Sequence, residues 1–270
     1  CLWKKKTKSV TGARPPGNWQ NFSRQRNGIK KRKVELVKAI ILKTSQYTDT
    51  QKIIHVYSLE KGALSFISPS FVFKRKNQPI QLMQLVEIEY FVNEKGGLHK
   101  LRTISPLINL PALYSDIFRM NILLLWSEIL HLILRQEGKN EVLFHYISRS
   151  AEYLNTTQRD IANFNLLFLY RLAGPLGFHI NTSTWQEGYV FDIQEGHFCP
   201  PDIVRPYLSG PHTAKVIYQL CTCETGKLKD IPLNREARNI LLDVVLLFYS
   251  IHLNLNFNIR SIQIIREVFK

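Results

Sequence analysis

The sequence predicts an α+β chain in which a small β-barrel is followed by an all-α domain. Residues 34–110 contain five short stretches rich in β-branched and aromatic residues, with turn signals between them and no long helical pattern. Beyond Pro111 the apolar residues recur at helical spacing. The length of 270 residues is enough for two domains, each with its own core.

The strands of the predicted barrel follow one another at short intervals. Val37–Lys43 is an apolar run with a lysine at each end, and Thr44–Thr50 is predicted as the polar turn after it. Glu60–Gly62 and Asn93–Gly97 carry the residues of tight turns. The other predicted strands are Lys52–Leu59, Ala63–Ile67, Leu82–Val92 and Leu98–Ile104. Five strands without an intervening helix favour a closed barrel, either an OB-fold or an SH3-like barrel.

Residues 111–270 are predicted to form a helical domain with one irregular insert at about 179–211. Ser115 is the candidate N-cap of the first helix, and Asn140 and Asn234 are those of two later ones. The predicted helices are Tyr114–Gln136, Glu141–Leu154, Thr157–Ala173, Thr213–Cys223, Arg235–Leu253 and Ser261–Phe269.

The net charge of +15 is concentrated near the N-terminus. Residues 1–33 hold eleven basic and no acidic residues, residues 34–110 hold ten against six, and residues 111–270 are neutral. The first segment has no apolar period and is predicted to be a disordered tail. It is interpreted as a basic arm on nucleic acid, as an inert solvated tail, or as residues outside the natural protein, with a start near Val34 or Val37.

The barrel carries the two ingredients of a single-strand binding surface, cations for phosphates and aromatic rings for bases. The alternative interpretation is that the rings form the core and the lysines protect edge strands. The candidate DNA-binding residues are Lys43, Tyr47, Lys52, Lys74, Arg75, Lys76, Lys100 and Arg102.

The sequence offers no signature of an enzyme or of a membrane protein. It has no phosphate-cradling glycine loop, no G-x-S-x-G and no H-E-x-x-H, and its eight histidines are scattered. The longest apolar runs, Ile122–Leu134 and Ile240–Leu255, are interrupted by polar residues and do not reach the roughly 20 residues of a membrane span. Four cysteines make no disulfide framework, so a reducing, cytoplasmic setting is expected.

Several stretches resemble the bacterial RecO family of DNA-repair proteins. Residues 37–50 are similar to the opening strand and turn of the family, and Phe164–Gly177 resembles its helix ending in a Leu-Gly-aromatic turn. Arg235–Leu253 and Ser261–Phe269 are similar to its closing helices. The resemblance covers about residues 35–269.

The resemblance implies an N-terminal OB-fold and a helical domain with a zinc-ribbon-like insert. It implies a non-enzymatic mediator of recombinational repair in the RecF pathway, associated with the nucleoid. Such a mediator binds single- and double-stranded DNA and anneals complementary strands without ATP. It engages RecR and the acidic C-terminal tail of the single-strand-binding protein, and so helps to load RecA.

The insert departs from the family pattern at the metal ligands. Many members carry two C-x-x-C pairs there, whereas residues 181–188 have no cysteine and the second region keeps only Cys199. Cys221 and Cys223 follow on a predicted helix, where they point in different directions. We therefore expect a degenerate ribbon, no zinc and no other cofactor.

The acidic tail implied as a partner would need an apolar pocket with a cation at its rim. Arg119, Arg149 and Arg171 of the helical domain are the candidates, and the sequence does not choose among them. Two rival functions stay open at this point. One is a protein-interaction scaffold whose barrel binds no DNA, and the other is a nuclease with an unrecognised carboxylate site.

Overall fold

The computed structural model describes residues 33–70, 72 and 80–268. The predicted basic tail therefore lies outside the described residues, apart from Lys33. The barrel strands are β1 (Val34–Thr48), β2 (Gln51–Ser58), β3 (Gly62–Pro69), β4 (Leu85–Phe91) and β5 (His99–Pro106). The helices are α1 (Pro111–Ser115), α2 (Ile117–Ile133), α3 (Glu141–Thr156), α4 (Ile161–Leu172), α5 (Pro211–Thr222), α6 (Arg235–Leu253) and α7 (Ser261–Val268).

The five N-terminal strands close into a barrel in the order β1-β2-β3-β5-β4. The neighbouring pairs are antiparallel except β3 and β5, which run parallel through Phe66–His99 and Ile67–Lys100. This is the OB-fold, one of the two barrels that the sequence predicted.

β1 is longer than predicted, and the predicted turn at Thr44–Thr50 is wrong. The strand continues to Thr48, and only Asp49 and Thr50 form the turn before β2. The polar residues remain in the ladder because each pairs with β2, as Ser45 does with Ile53. Two register shifts, after Ile41 and after Gln46, bend the strand without ending it.

The apolar run of β1 contributes to two cores. Ala39 and Ile41 are fully buried inside the barrel, where they belong to the same cluster as Phe66. Ile40 and Leu42 point the other way and are buried in the core of the helical domain. A strand buried on both faces has a continuous apolar sequence, which explains why this run lacks strand alternation.

The first predicted helix is divided into α1 and α2, and its N-cap is Asp116 instead of Ser115. The Asp116 side chain accepts a hydrogen bond from the backbone N–H of Arg119 at 2.9 Å. The caps at Asn140 and Asn234 are confirmed, since they accept from Leu143 N at 3.0 Å and Ala237 N at 2.8 Å.

The core of the helical domain is aromatic, and its polar atoms are paired. Trp126 of α2 stacks on Phe168 of α4 at 3.7 Å between ring centroids, and its indole N–H donates to Asn165 Oδ1 at 2.9 Å. Tyr170 and Tyr249 donate their hydroxyls to backbone carbonyls of the helix that each faces, at 2.8 Å and 2.6 Å. These bonds fix α4 against α6.

The irregular insert contains a short hairpin and one 3-10 turn, and a second 3-10 turn lies beyond it. β6 (Val190–Asp192) pairs antiparallel with β7 (His197–Cys199). The 3-10 turns, Thr182–Thr184 and Thr225–Asp230, lie before the hairpin and after α5. Phe191 and Phe198 of the hairpin are buried in the core of the helical domain. No helix of the described residues is long and apolar enough to cross a membrane.

The loop between α2 and α3 contacts the β2–β3 hairpin through its backbone. Ala63 N donates to Glu137 O, and the Tyr57 hydroxyl donates to Gly138 O, both at 2.9 Å. Gly62 has a φ of +76°, and a Cβ built on it would lie 2.4 Å from Glu137 O. Only glycine fits this approach of two backbones.

We predict that Gly62→Ala lowers the free energy of unfolding by more than about 2 kcal/mol, because it adds backbone strain and forces the two segments apart. Gly97→Ala is the matched control, since Gly97 has a φ of +79° but no atom within 4 Å of a built Cβ. The control should lose only the strain of a positive φ, about 1 kcal/mol. Urea denaturation measures both, and equal losses would show that the contact at Gly62 adds nothing.

Candidate nucleic-acid interface

One side of the barrel carries exposed cations at the edges of an apolar centre. Side chains alternate along a strand, so Lys43 and Ser45 of β1 share a side. The register places Ile53 of β2 opposite Ser45, Ile67 of β3 opposite Ile53, and Lys100 of β5 opposite Ile67. We use the name barrel face for the following six residues: Lys43, Ser45, Tyr47, Ile53, Ile67 and Lys100. At about 4.8 Å between strands it spans about 14 Å.

Tyr47 lies at the end of this face, in the bulge between Gln46 and Thr48. Its side chain is 55% exposed, the most exposed aromatic residue described. Bulges re-aim side chains out of the regular alternation. An exposed ring on a face that also carries lysines suits the stacking of a base.

The outer side of β4 carries carboxylates with cations close by, and Lys38 of β1 pairs opposite Glu87. Glu87 and Glu89 alternate with buried residues and therefore project outward. Arg102 lies in the β5 register shift beside Glu89, forms an ion pair with its carboxylate, and lies 6.0 Å from the centroid of the Phe91 ring. Glu89 thus compensates the charge of Arg102 within the barrel. A cation that contacts a DNA phosphate, the role predicted for Arg102, would be free of such a partner.

The remaining predicted DNA contacts are not brought together with the barrel face. Lys52 pairs with Gln46 and alternates with Ile53, so it lies on the side of buried Ile54 at the end of the barrel. Lys74, Arg75 and Lys76 lie outside the described residues.

A second basic site, which sequence reasoning missed, lies where the barrel meets the helical domain. It is a cavity of about 460 Å³ between β1, α2 and the segment before α7. We call it the junction pocket and define it by five of its lining residues: Lys43, Leu124, His131, Leu132 and Arg260. These residues are far apart in the sequence and show no common pattern, so only the packing of the domains reveals them.

Two histidines meet beside this pocket. The rings of His55 and His131 are 4.9 Å apart, and His55 Nδ1 is hydrogen-bonded to Ser65 Oγ at 2.9 Å. Burial lowers the pKa of His131 to about 4, and His55, Lys43 and Arg135 add to this effect. The pKa of His55 is also lowered, first by burial and then by Lys43 and Arg135.

The three arginines predicted at a partner pocket have different environments. Arg119 is 6% exposed, and its guanidinium donates to Leu154 O at 2.9 Å, to Thr157 O and to Asp116. It fixes the C-terminal end of α3 and is not a rim cation, so that prediction is corrected. Arg171 donates to Leu220 O at 3.0 Å and to Cys223 O, which caps α5.

Arg149 is exposed beside a mostly apolar cavity between α3 and α4. The cavity has a volume of about 620 Å³, and Arg149 and Arg171 both line it. Its apolar wall consists of Val142, Tyr146, Tyr153, Phe164, Leu167 and Pro175. No carboxylate of the described residues forms an ion pair with Arg149. This arrangement, an apolar pocket with a cation at its rim, is the one that the sequence analysis required.

The insert brings three potential metal ligands together among the described residues. Ligand atoms of Asp192, His197 and Cys199 lie within 4.8 Å of one another. However, the buried Asp192 carboxylate already accepts hydrogen bonds from Arg205 Nη1 at 3.0 Å and from the backbone N–H groups of Gln194 and Glu195. Burial, followed by Asp192, raises the pKa of the Cys199 thiol and favours its neutral form.

A structural zinc site in proteins has four ligands in a closed tetrahedron, with thiolate sulfur. Three donors are one fewer than such a site needs, and the carboxylate among them is already held by an arginine and two backbone N–H groups. The absence of zinc, expected from the sequence, stays a prediction.

We predict that the protein loses stability between pH 7.5 and pH 5. The unfolded chain takes up a proton at His131 near its ordinary pKa of 6.5, whereas the folded chain does so only near 4. The unfolded state therefore binds more protons than the folded state in this window. As the pH decreases from 7.5 to 5, the free energy of unfolding decreases by about 1 kcal/mol, after allowance for solvent screening. His131→Gln should reduce this dependence in urea titrations and leave the contributions of His55 and His99, whose pKa values burial also lowers. An unchanged pH profile in the variant would contradict the assignment.

Comparison with known proteins agrees with this architecture. The family model for the C-terminal part of recombination protein O matches residues 114–260, and the model for its N-terminal part matches residues 34–109. The DNA repair protein RecO of Flavobacterium psychrophilum is 27% identical over 236 residues, which cover 86% of this chain and 98% of the relative. Those of Flavobacterium johnsoniae and Bacteroides fragilis are each 28% identical, over 243 and 240 residues. They cover 86% and 85% of this chain, and 98% and 97% of the relatives. The chain therefore belongs to the RecO family of DNA-repair proteins.

Proposed function

We propose that this protein is a non-enzymatic recombination mediator of the cytoplasm that binds single- and double-stranded DNA and anneals complementary strands without ATP. The observation that carries the proposal is the barrel face, with lysines at both edges and an exposed aromatic ring at one end. Membership of a DNA-repair family supports the same interpretation.

The barrel face suits annealing because its residues can bind the phosphate backbone of a DNA strand without recognising particular bases. Lysines neutralise phosphates whatever the sequence, and a ring such as Tyr47 stacks on any base. During annealing the two strands recognise each other, so the protein needs only to lower their repulsion and keep their bases accessible.

The cavity beside Arg149 is the proposed site for the acidic tail of the single-strand-binding protein. Its apolar wall would take the hydrophobic end of the tail, and the unpaired guanidinium would take a carboxylate. Together with RecR, this contact would bring the protein to coated DNA and help to load RecA. We assign no contact surface to RecR.

We predict that the full-length protein accelerates annealing of two complementary oligonucleotides without ATP, and that Tyr47→Ala weakens its binding to single strands. Loss of one stacked base costs about 1–3 kcal/mol, or about 5- to 150-fold in affinity. The matched control is Tyr207→Ala, which removes a tyrosine of the insert that is 52% exposed.

The annealing rate and the affinity should both fall between about 50 and 200 mM salt, since phosphate contacts release counterions. Salt-insensitive, weak DNA binding and no annealing would favour the scaffold function. Product formation that depends on a divalent metal would favour a nuclease.

We predict that Arg149→Ala weakens binding of a peptide with an acidic, apolar-ended sequence, because it removes the cation at the cavity rim. A loss of one charge-assisted hydrogen bond lowers affinity by roughly 10-fold. Fluorescence anisotropy with a labelled peptide measures it, and annealing of bare DNA should not change. Arg159→Ala is the control, as Arg159 is exposed but does not line the cavity. Equal losses of peptide affinity in the two variants would contradict the assignment of the cavity as the binding site of the tail.

A further inference from the structure

The junction pocket is surrounded by cations that no carboxylate of the described residues neutralises. Lys43 comes from β1, Arg260 from the segment before α7, and Arg135 follows α2 close enough to lower the pKa of both histidines. None of the three forms an ion pair within the part of the chain that the structure describes.

One acidic residue, Glu128, lines the pocket, and its carboxylate is already bound. Its Oε2 accepts hydrogen bonds from Ser261 N at 3.0 Å and from Ser261 Oγ at 2.9 Å. Ser261 begins α7, so the N-terminal end of that helix compensates the charge of Glu128. The pocket is left with a surplus of positive charge.

The pKa values of the two histidines beside the pocket reflect the same cations. After burial, the charged groups that lower the pKa of His131 are all basic: His55, Lys43 and Arg135. The charged neighbours that lower the pKa of His55 are Lys43 and Arg135, also basic. A half-buried imidazole surrounded in this way lies in a positive potential that a bound anion would relieve.

We propose that the junction pocket binds a phosphate group of a DNA strand between Lys43 and Arg260, so that one strand contacts both domains. The proposal rests on the DNA binding proposed above and extends it from the barrel to the helical domain. Lys43 belongs to both the barrel face and the pocket, so a strand leaving the face at this edge would enter the pocket directly.

The shape of the pocket suits more than a bare phosphate. A volume of about 460 Å³ lies within the range of pockets that enclose small organic ligands. Leu42, Leu82, Leu124 and Leu132 form an apolar wall beside the cations. This wall can contact the sugar and base attached to the phosphate.

The test is the salt dependence of binding to a single-stranded 20-mer by the full-length protein and its variants Lys43→Ala, Arg260→Ala and the double variant. Each single variant should bind about 3- to 10-fold more weakly, and the slope of log affinity against log salt should fall by about 0.7, the value for one phosphate on a single strand. Lys229→Ala is the matched control, a basic residue of the helical domain outside the pocket.

The double variant distinguishes a shared phosphate from an open basic surface. If Lys43 and Arg260 hold the same phosphate, the double variant loses about the same slope as either single variant. Additive losses, about 1.4 in slope, would mean two separate phosphates and would overturn the pocket.

Two versions of the oligonucleotide separate the sources of the phosphate. A 20-mer with a 5′-hydroxyl offers only backbone phosphates, whereas a 5′-phosphorylated one adds a terminal group. Equal losses with both place a backbone phosphate in the pocket. A loss confined to the phosphorylated strand places the terminal group there. No loss with either, compared with Lys229→Ala, overturns the proposal.

The imidazole of His131 gives a readout that a structural role would not change. An anion bound beside it should raise its pKa on addition of DNA, followed by NMR, and affinity should rise as the pH falls below about 6 towards the pKa of about 4 in the free protein. His55, Lys43, Arg135, Glu128 and Arg260 are the charged or titratable groups around it, and His131→Gln should reduce the pH effect.

The outcomes also separate this proposal from the proposed function. If Lys100→Ala weakens binding and Arg260→Ala does not, the barrel face binds DNA and the pocket proposal fails alone. If the unaltered protein binds no DNA, the proposed function fails. An unchanged pKa of His131 in a saturated DNA complex would likewise overturn the pocket.

Discussion

The burial of β1 on both of its faces is the constraint on which the rest of the structure depends. Ala39 and Ile41 complete the barrel core, while Ile40 and Leu42 lie among the side chains of the helical domain. Neither core can form fully without this strand. The backbone contact between Gly62 and the loop after α2 reinforces the same junction. The position of each basic barrel residue that the structure describes, relative to the helices, follows from these contacts.

The strand order of the barrel determines which charged residues lie next to one another. β4 carries Glu87 and Glu89 on its outer side, and Arg102 is paired there. Lys43 and Lys100, which form no ion pair within the described residues, lie across the sheet from one another, and Lys43 also reaches the junction. Net charge alone does not describe this surface, because some cations face carboxylates and others do not. What matters for a polyanion is which strand each charge is on.

The sequence predicted the features that depend on local patterns. The OB-fold followed from five closely spaced strands, and Asn140 and Asn234 were found as caps because capping is a local preference. The turn predicted at Thr44–Thr50 was wrong because strand pairing with β2 overrode the turn-like composition of the segment. The prediction that Arg119 lies at the rim of a partner pocket was wrong, because its burial depends on a carbonyl of α3 that lies more than thirty residues away in the sequence. The junction pocket joins residues 43, 131 and 260, and no local pattern connects them.

The short connection between the domains limits how this protein can move. β5 ends at Pro106 and α1 begins at Pro111, so no flexible linker separates barrel from helices. With a shared core across the junction as well, the described domains lack the hinge that closes many two-domain proteins around a ligand. A ligand that contacts both described domains would therefore meet groups whose relative positions are fixed by the shared core.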